Sequence, residues 1–464
     1  MTTTDWVLIG LALASVALLV LFVARWRVNA FLALTLAALL VGAGAVVMGL
    51  VPQGATAPLS MPDVLEGFGV GLGRTLGGVA AIIALGAMLG RLLAQSGGAA
   101  VLAQGFTAFF GRERAVWCVM ALAITVGLST YFVVGLLLLA PILVTLARET
   151  GRPFLTLAIP LLASLSVMHG LMPPHPGPVA ALAAFHEWQP NAGRVLAWGF
   201  VIGLPTAFIA GPFFAARATR LLPAVPLPAP AGSRGERTHL PPFGVTLLSV
   251  LLPVVLMLFD TVARLWLAPE AGAARVASFV GNPTIALLVS TVFASWSLGI
   301  RCGDTRGQVL AATEDAVASV GMVLLVVGAG GGFAAVLRMA GVADAMGSLA
   351  RALGLPVLLY GWLMTAFVRV ATGSATVAIV AAAGLLAPVL GDYPGTNIEL
   401  LIVAMGCGSL FLSLPNDGGF WVVKDTLGLS VGETLRTWTM TETLIGIVGL
   451  AITLSVHAAW RVLQ

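Results

Sequence analysis

Residues Ser164–Pro178 read SLSVMHGLMPPHPGP. An apolar run beginning near residue 153 leads into this stretch as a helix. Four prolines then follow within six residues, and proline removes a backbone donor and clashes with the preceding turn. The helix must therefore break between His169 and Pro178, and its opened N–H and C=O groups need polar surroundings. At membrane depth such backbone is tolerated only where protein or a water-filled cavity encloses it. Two titratable imidazoles, His169 and His175, flank the break.

Composition supplies the membrane. The chain has 464 residues, 59% of them hydrophobic and only 9% charged, with a mean hydropathy of +1.04. Soluble domains carry about 25% charged residues, so this chain lacks the polar surface to coat a water-facing globule of its size. An all-α polytopic membrane protein is expected. A nucleic-acid partner is excluded, because the net charge is only +4 and the arginines are scattered through loops. Cys118, Cys302 and Cys407 lie far apart in apolar runs, form no disulfide or metal pattern, and are read as small and buried. Gly328–Gly332 carries no G-K-S/T and follows no strand, so close helix packing rather than a phosphate loop is its reading. No H-E-x-x-H or G-x-S-x-G occurs, and no metal or cofactor is expected.

A bilayer core of ~30 Å needs about 20 apolar residues per helix. Full-length candidates lie near 6–24, 28–50, 72–95, 153–172, 195–216, 243–267, 280–298, 316–338, 355–370, 398–414 and 437–459. Residues 6–24 lack a preceding basic segment and a cleavage site, so they begin a retained helical hairpin rather than a signal peptide. The stretches 115–147 and 374–390 are interrupted by Gly, Ser and Thr and read as re-entrant hairpins, giving roughly 12 spans. Arg25 and Arg27, Arg112 and Arg114, and Arg148 and Arg152 mark cytoplasmic loops. Residues 217–242, with six prolines and Arg217, Arg220, Arg234 and Arg237, form a cytoplasmic linker between residues 1–216 and 243–464. No Lys or Arg separates Arg27 from Arg74, so that loop, with Asp63 and Glu66, faces outside together with the N-terminus.

The two halves repeat. Gly86 and Gly330 stand 244 residues apart in small-residue segments, and so do Thr130 and Ser374 at polar breaks. Pro173-Pro174-His175-Pro176-Gly177 falls against Pro415-Asn416-Asp417-Gly418-Gly419. The opening hairpins turn on opposite sides, at Arg25 and Arg27 in one half and near Glu270 in the other. Two inverted-topology repeats with re-entrant hairpins and broken helices are the architecture of secondary transporters, which hold substrate between the repeats.

Polar groups inside a membrane are costly, so each requires an account. His169 and His175 are either packed loop histidines or groups that change charge near neutral pH. Asp417 and Asn416 sit between Pro415 and two glycines. Lys424, the sole lysine, lies one or two turns beyond. Asp417 and Lys424 either neutralise neighbours or take part in transport. Gly127-Leu128-Ser129-Thr130 and Thr372-Gly373-Ser374-Ala375-Thr376 offer hydroxyls and helix N-termini that would bind an anion across a cavity. Arg369 either pairs with a carboxylate there or snorkels to the interface.

These residues carry a resemblance. His169-Gly170-Leu171-Met172-Pro173-Pro174-His175-Pro176-Gly177-Pro178 resembles the H-G-L/F-V/M-P-P-H-P-G-P signature of the gluconate permease (GntP) family, within the ion transporter superfamily of secondary carriers. Arg369–Ala378 is similar to its second hairpin motif. Asn416-Asp417-Gly418-Gly419-Phe420-Trp421 with Lys424, Glu433-Thr434 and Thr437-Trp438-Thr439 is similar to its C-terminal pattern. The match runs over nearly the whole chain and implies proton-coupled uptake of gluconate or related sugar acids across the bacterial inner membrane. Many gluconate carriers read G-L-P-L-F-F-E-V-G where this chain has Gly127–Gly135, so Ser129 replaces a proline and Val133 a glutamate. If that glutamate carries the proton or reads hydroxyls, another residue must act here or another substrate is preferred.

The expected function is a proton symporter for a small anionic, gluconate-like substrate, not an enzyme, embedded in lipid and possible as a homodimer. Ser129 and Thr130, with Thr372, Gly373 and Ser374, are expected to hold the carboxylate with Arg369. Asn416 and the loop containing Pro173, His175 and Gly177, with His169, would read hydroxyls. Asp417, His169 or His175 would carry the proton. The rival readings are a sodium- or proton-coupled carrier of a dicarboxylate or hydroxy acid, an intramembrane enzyme acting on a lipid-linked substrate, and a passive channel.

Overall fold

The computed structural model describes residues 3–51, 57–221, 239–268, 271–342 and 354–463, with isolated positions between 343 and 353. Most of the linker, with Arg234 and Arg237, lies outside the described residues, as does Glu270. The first half contains α1 (Thr3–Val20), α2 (Ala30–Val47), α3 (Met61–Gln95), α4 (Gly98–Phe110), α5 (Ala115–Gly127), α6 (Phe132–Thr150), α7 (Phe154–Leu171), α8 (Pro176–Ala184), α9 (Ala192–Phe208) and α10 (Phe214–Leu221). The second contains α11 (Phe243–Trp266), α12 (Gly272–Val280), α13 (Pro283–Ala294), α14 (Arg306–Met339), α15 (Val357–Thr372), α16 (Ala375–Leu386), α17 (Ile398–Leu410), α18 (Gly418–Leu427), α19 (Val431–Thr434) and α20 (Met440–Leu463). No strand occurs among the described residues.

The halves recur element by element. α3 and α14, of 35 and 34 residues, each open on a reciprocal cap in which Ser60 pairs with Asp63 and Thr305 with Gln308. A helical hairpin follows in each half, then a broken helix. Each half then has a helix interrupted by a five-residue π turn, Ile209–Phe213 or Leu435–Thr439. α10 continues to Leu221, five residues beyond the boundary expected at 216.

The contact between α3 and α14 shows the inversion. Gly67 lies against Met339, Gly71 against Gly331, and Gly328 against Leu72 and Leu76. At the far end Arg91 Nη2 is 3.2 Å from Asp315 Oδ2. Residue numbers climb along one helix as they fall along the other, so the two equivalent helices point in opposite directions. Glycine makes this approach possible: a Cβ on Gly71 would lie 2.5 Å from the Gly331 carbonyl oxygen, and one on Gly332 2.6 Å from Phe68. The glycine run is thus packing surface, as its composition implied.

Ten helical stretches are long and apolar enough to cross a membrane among the described residues. Four apolar helices are shorter: α4, α15, α16 and α17. The span expected at 72–95 begins at Met61, and the one expected at 316–338 begins at Arg306. At about 1.5 Å per residue these two helices reach roughly 50 Å, which exceeds the bilayer core and is met by tilt or protrusion. The turns carrying Arg112–Arg114 and Arg152 meet at one end, where an Arg152 guanidinium N–H donates to the Glu113 carbonyl at 2.6 Å. All three cysteines are buried, and none forms a disulfide among the described residues.

Gly331→Leu should overpack the crossing by about 1–3 kcal/mol and lower the unfolding temperature in detergent. Gly321→Ala, which meets open space on the same helix, should not. Equal melting of the two variants would show that the crossing is loosely packed.

Candidate functional site

Two broken helices run through the centre. Every described residue of α17 is buried, and α7 is buried along nearly its whole length. They cross where a Cβ on Gly406 would lie 2.5 Å from the Gly170 carbonyl oxygen. The first break, Met172–His175, follows from Pro173, Pro174 and Pro176; the second, Phe411–Asp417, centres on Pro415.

Each break is tied to the hairpin of its own half by a side chain that donates to a helix-end carbonyl. His175 Nε2–H donates to the Gly127 carbonyl at 2.7 Å, at the last residue of α5. Asn416 Nδ2 donates to Val370 at 2.9 Å and Ala371 at 3.3 Å, in the last turn of α15. Helix C-termini leave carbonyls without intrahelical partners, and both ties satisfy them. Gly373 turns the second hairpin at φ +71°, pressed against the Asn416–Asp417 peptide.

Between the hairpin tips and the breaks lies a cavity of about 300 Å³. Phe132 and Val133 of α6, Ser166 and His169 of α7, Arg369 of α15, and Ser374–Thr376 wall it on one side. Asp417–Gly419, Leu410, Trp438 and Glu442 complete it. Three helix N-termini open onto it. Two are capped by their own side chains: Ser374 accepts from the Val377 amide at 3.3 Å, and Asp417 from the Gly419 amide at 2.7 Å. The third, α6, has Tyr131 at its N-cap position and no side-chain cap, so its first-turn N–H groups lack a side-chain partner among the described residues, and Phe132 and Val133 line the cavity.

Arg369 is only 3% exposed. Its Nη2 donates to Asp417 Oδ2 at 2.6 Å and lies 4.0 Å from Glu442 Oε2, while its Nε has no partner among the described residues. Asp417 is heavily committed, accepting also from the Ser413 hydroxyl and the Gly419 amide. Ser413 in turn accepts from Trp438 Nε1 at 2.7 Å, which joins the break to the π turn of the last helix. The Ser166 hydroxyl donates to Glu442 Oε1. One guanidinium therefore serves two buried carboxyl groups.

The structure brings together Arg369, Asp417, His169, Gly373 and Ser374 from among the residues singled out in the sequence. His169 lines the cavity with Nδ1 unpartnered, its ring 5.1 Å from that of His175. Ser129 and Thr130 stand elsewhere. Both hydroxyls donate to the Val126 carbonyl, at 3.3 and 2.9 Å, and both residues line a separate pocket with Gly90, Arg91 and Asp315. The helix they were expected to begin starts at Phe132, with Tyr131 at its N-cap position. Thr372 spends its hydroxyl on Val368 at 2.8 Å. Pro173 is buried in the break, and Gly177 packs α8 against Ile379 of α16, outside the cavity. Asn416 is occupied in holding the hairpin. Lys424 pairs with Asp425 at 2.8 Å, away from the cavity.

Sequence reading missed Glu442, which is 1% exposed, and its partner Ser166. A lone carboxylate inside the apolar stretch expected at 437–459 was the signal available. Ser413 and Trp438 emerge only when the break and the π turn are brought together.

Inverted repeats, with two pairs of broken elements around a half-open cavity that holds buried charged groups, are the architecture of a multi-pass membrane transporter. The chain belongs to the GntP family of permeases, whose family model matches residues 6–459. It is 40% identical to a gluconate permease of Pseudomonas aeruginosa over 96% of both chains. It is 35% identical to a D-serine transporter of Escherichia coli over 96% of this chain and 97% of the other. Among solved structures, the Alcanivorax borkumensis YdaH transporter, described as having an unusual topology, superposes with a TM-score of 0.61 at 17% identity. That match covers 93% of this chain and 98% of that one and shows a shared fold.

Arg369→Gln should cost about 3–5 kcal/mol by stranding a buried carboxylate, read as a lower unfolding temperature. Adding Asp417→Asn should recover most of that loss. A double variant less stable than Arg369→Gln alone would show that the two residues act independently.

Proposed function

We propose that this transporter imports gluconate or a related small hydroxylated monocarboxylate with protons across the bacterial inner membrane. The observation that carries the reading is Arg369, a cavity-lining residue whose buried Nε has no partner among the described residues, beside the α6 N-terminus, which has no side-chain cap. A guanidinium pairs with a carboxylate through parallel N–H donors. Unspent amides at a helix N-terminus add partial positive charge and donors of their own. The Phe132 and Val133 amides and Arg369 then anchor the carboxylate.

Ser374 and Thr376 hydroxyls and the His169 Nδ1 stand on the polar wall for substrate hydroxyls. Phe132, Val133, Leu410 and Trp438 form the apolar remainder. Gluconate and D-serine, for which the two relatives are named, share a carboxylate with a polar group on the adjacent carbon, which fits an anchor of this kind. The two halves, the first extending through α10 to Leu221 and the second beginning at α11, serve as the repeats that alternate access around the cavity, joined by a cytoplasmic linker between them.

The test is uptake of labelled gluconate into proteoliposomes with an alkaline interior. Accumulation above the external concentration that collapses with an uncoupler is the expected result. Accumulation that requires sodium instead would replace the coupling ion. No uptake by folded protein, with uptake of another acid from a panel of sugar acids, hydroxy acids and D-serine, would replace the substrate.

A further inference from the structure

Glu442 is a carboxyl group for which a buried carrier site has no evident structural need. It caps no helix, and α20 would form without it. We infer that Glu442 is the proton-binding group of this carrier, and that its protonation frees Arg369 to take the substrate carboxylate. The inference rests on the carrier reading above and names the residue that couples proton to substrate.

The argument is one of charge and of partners. Asp417 accepts from Arg369, Ser413 and the Gly419 amide, and so fixes α18 and the second hairpin together. Protonating it would give up the ion pair and weaken the cap. Glu442 has the Ser166 hydroxyl and an arginine 4.0 Å away, beyond hydrogen-bond reach. Neutralising it breaks neither the ion pair nor a helix cap.

The groups facing it from the surrounding elements are few among the described residues. α15 presents Arg369, the second break presents Asp417, and α7 presents His169 and Ser166. α17 presents only Cys407, two turns further along at Gly449. α9 presents no titratable group at that level.

With both carboxyl groups ionised, one guanidinium faces two negative charges, and an incoming anion would be the third. Like charges this close in a low-dielectric site oppose one another strongly. A proton taken from the outer water onto Glu442 leaves Arg369 and Asp417 as a neutral pair. The substrate carboxylate can then pair with Arg369, whose Nε has no partner among the described residues, near the start of α6. At the alkaline inner face the proton returns to water, the Glu442 carboxylate re-forms, and the substrate anion is expelled. One proton accompanies one anion, so the site carries the same net charge loaded and empty.

The experiment is binding of labelled gluconate to the purified full-length protein between pH 6 and pH 9, with uptake into proteoliposomes alongside. Because proton and anion binding are reciprocally linked, wild-type affinity should fall about tenfold per pH unit once Glu442 is ionised. Glu442→Gln should flatten that dependence to less than about twofold and abolish pH-driven accumulation. Glu442→Asp should restore a pH dependence, which a purely structural role would not predict. Should Glu442→Gln not fold, Ser166→Ala serves as the second variant, and the midpoint of the binding profile should move by about half a pH unit or more. Wild-type pH dependence and accumulation in Glu442→Gln, or an unmoved midpoint in Ser166→Ala, would overturn the assignment alone. A wild-type protein that binds no carboxylate of the panel at any pH would overturn the carrier reading beneath it.

Discussion

The contact between Arg369 and Asp417 holds the centre of this protein together. A guanidinium and a carboxylate have been taken out of water inside an apolar bundle, which repays its cost only when geometry and further hydrogen bonds are good. Here they are. The carboxylate sits where α18 must begin, so the amide that needs a cap and the arginine that needs a counter-charge draw on the same two oxygens. Ser413 and Trp438 extend that arrangement to the last helix. Remove the pair, and the second break, the second hairpin and the wall of the cavity lose their common point.

The inverted repeat explains why such a centre can exist. Helices broken within the membrane leave backbone groups that need partners in an enclosed setting. Antiparallel crossing of α3 and α14 sets the two halves face to face, and glycines let the crossing be close. Each break is then stitched to its own hairpin by a side chain that donates to a helix-end carbonyl, His175 in one half and Asn416 in the other. The halves have diverged in how they finish their hairpins. Ser374 closes the start of α16, while α6 starts without a side-chain cap. The cavity therefore meets one helix start with a side-chain cap and one without.

Much of this was legible in the sequence because proline and glycine write their consequences locally. Both breaks, both hairpins, the repeat and the packing role of Gly328–Gly332 follow from residue types whose backbone behaviour needs no tertiary context. Arg369 and Asp417 were visible as costly groups in apolar surroundings, although nothing in the sequence joins residues 48 positions apart. The errors have a physical origin too. Ser129 and Thr130 look like helix caps, but a hydroxyl can turn back to a carbonyl of the preceding turn, and both do so at Val126. The first turns of α3, with Asp63 and Glu66, are too polar to be read as part of a span, and packing against α14 carries the helix through them. Glu442 was hidden because an apolar average over some twenty residues absorbs one carboxylate without trace.

The uncapped start of α6 has an evolutionary consequence. Its donors are the peptide N–H groups of Phe132 and Val133, which belong to the main chain and survive every substitution there except proline. Mutation at these two positions can reshape the wall, add a hydroxyl or a charge, or enlarge the space, while the main-chain donors stay in place. On the proposed anchoring, the parts of the cavity free to drift are those that meet the remainder of the solute. A lineage that holds its anion in the proposed way can change its cargo one side chain at a time, without passing through an ancestor that has lost the main-chain donors.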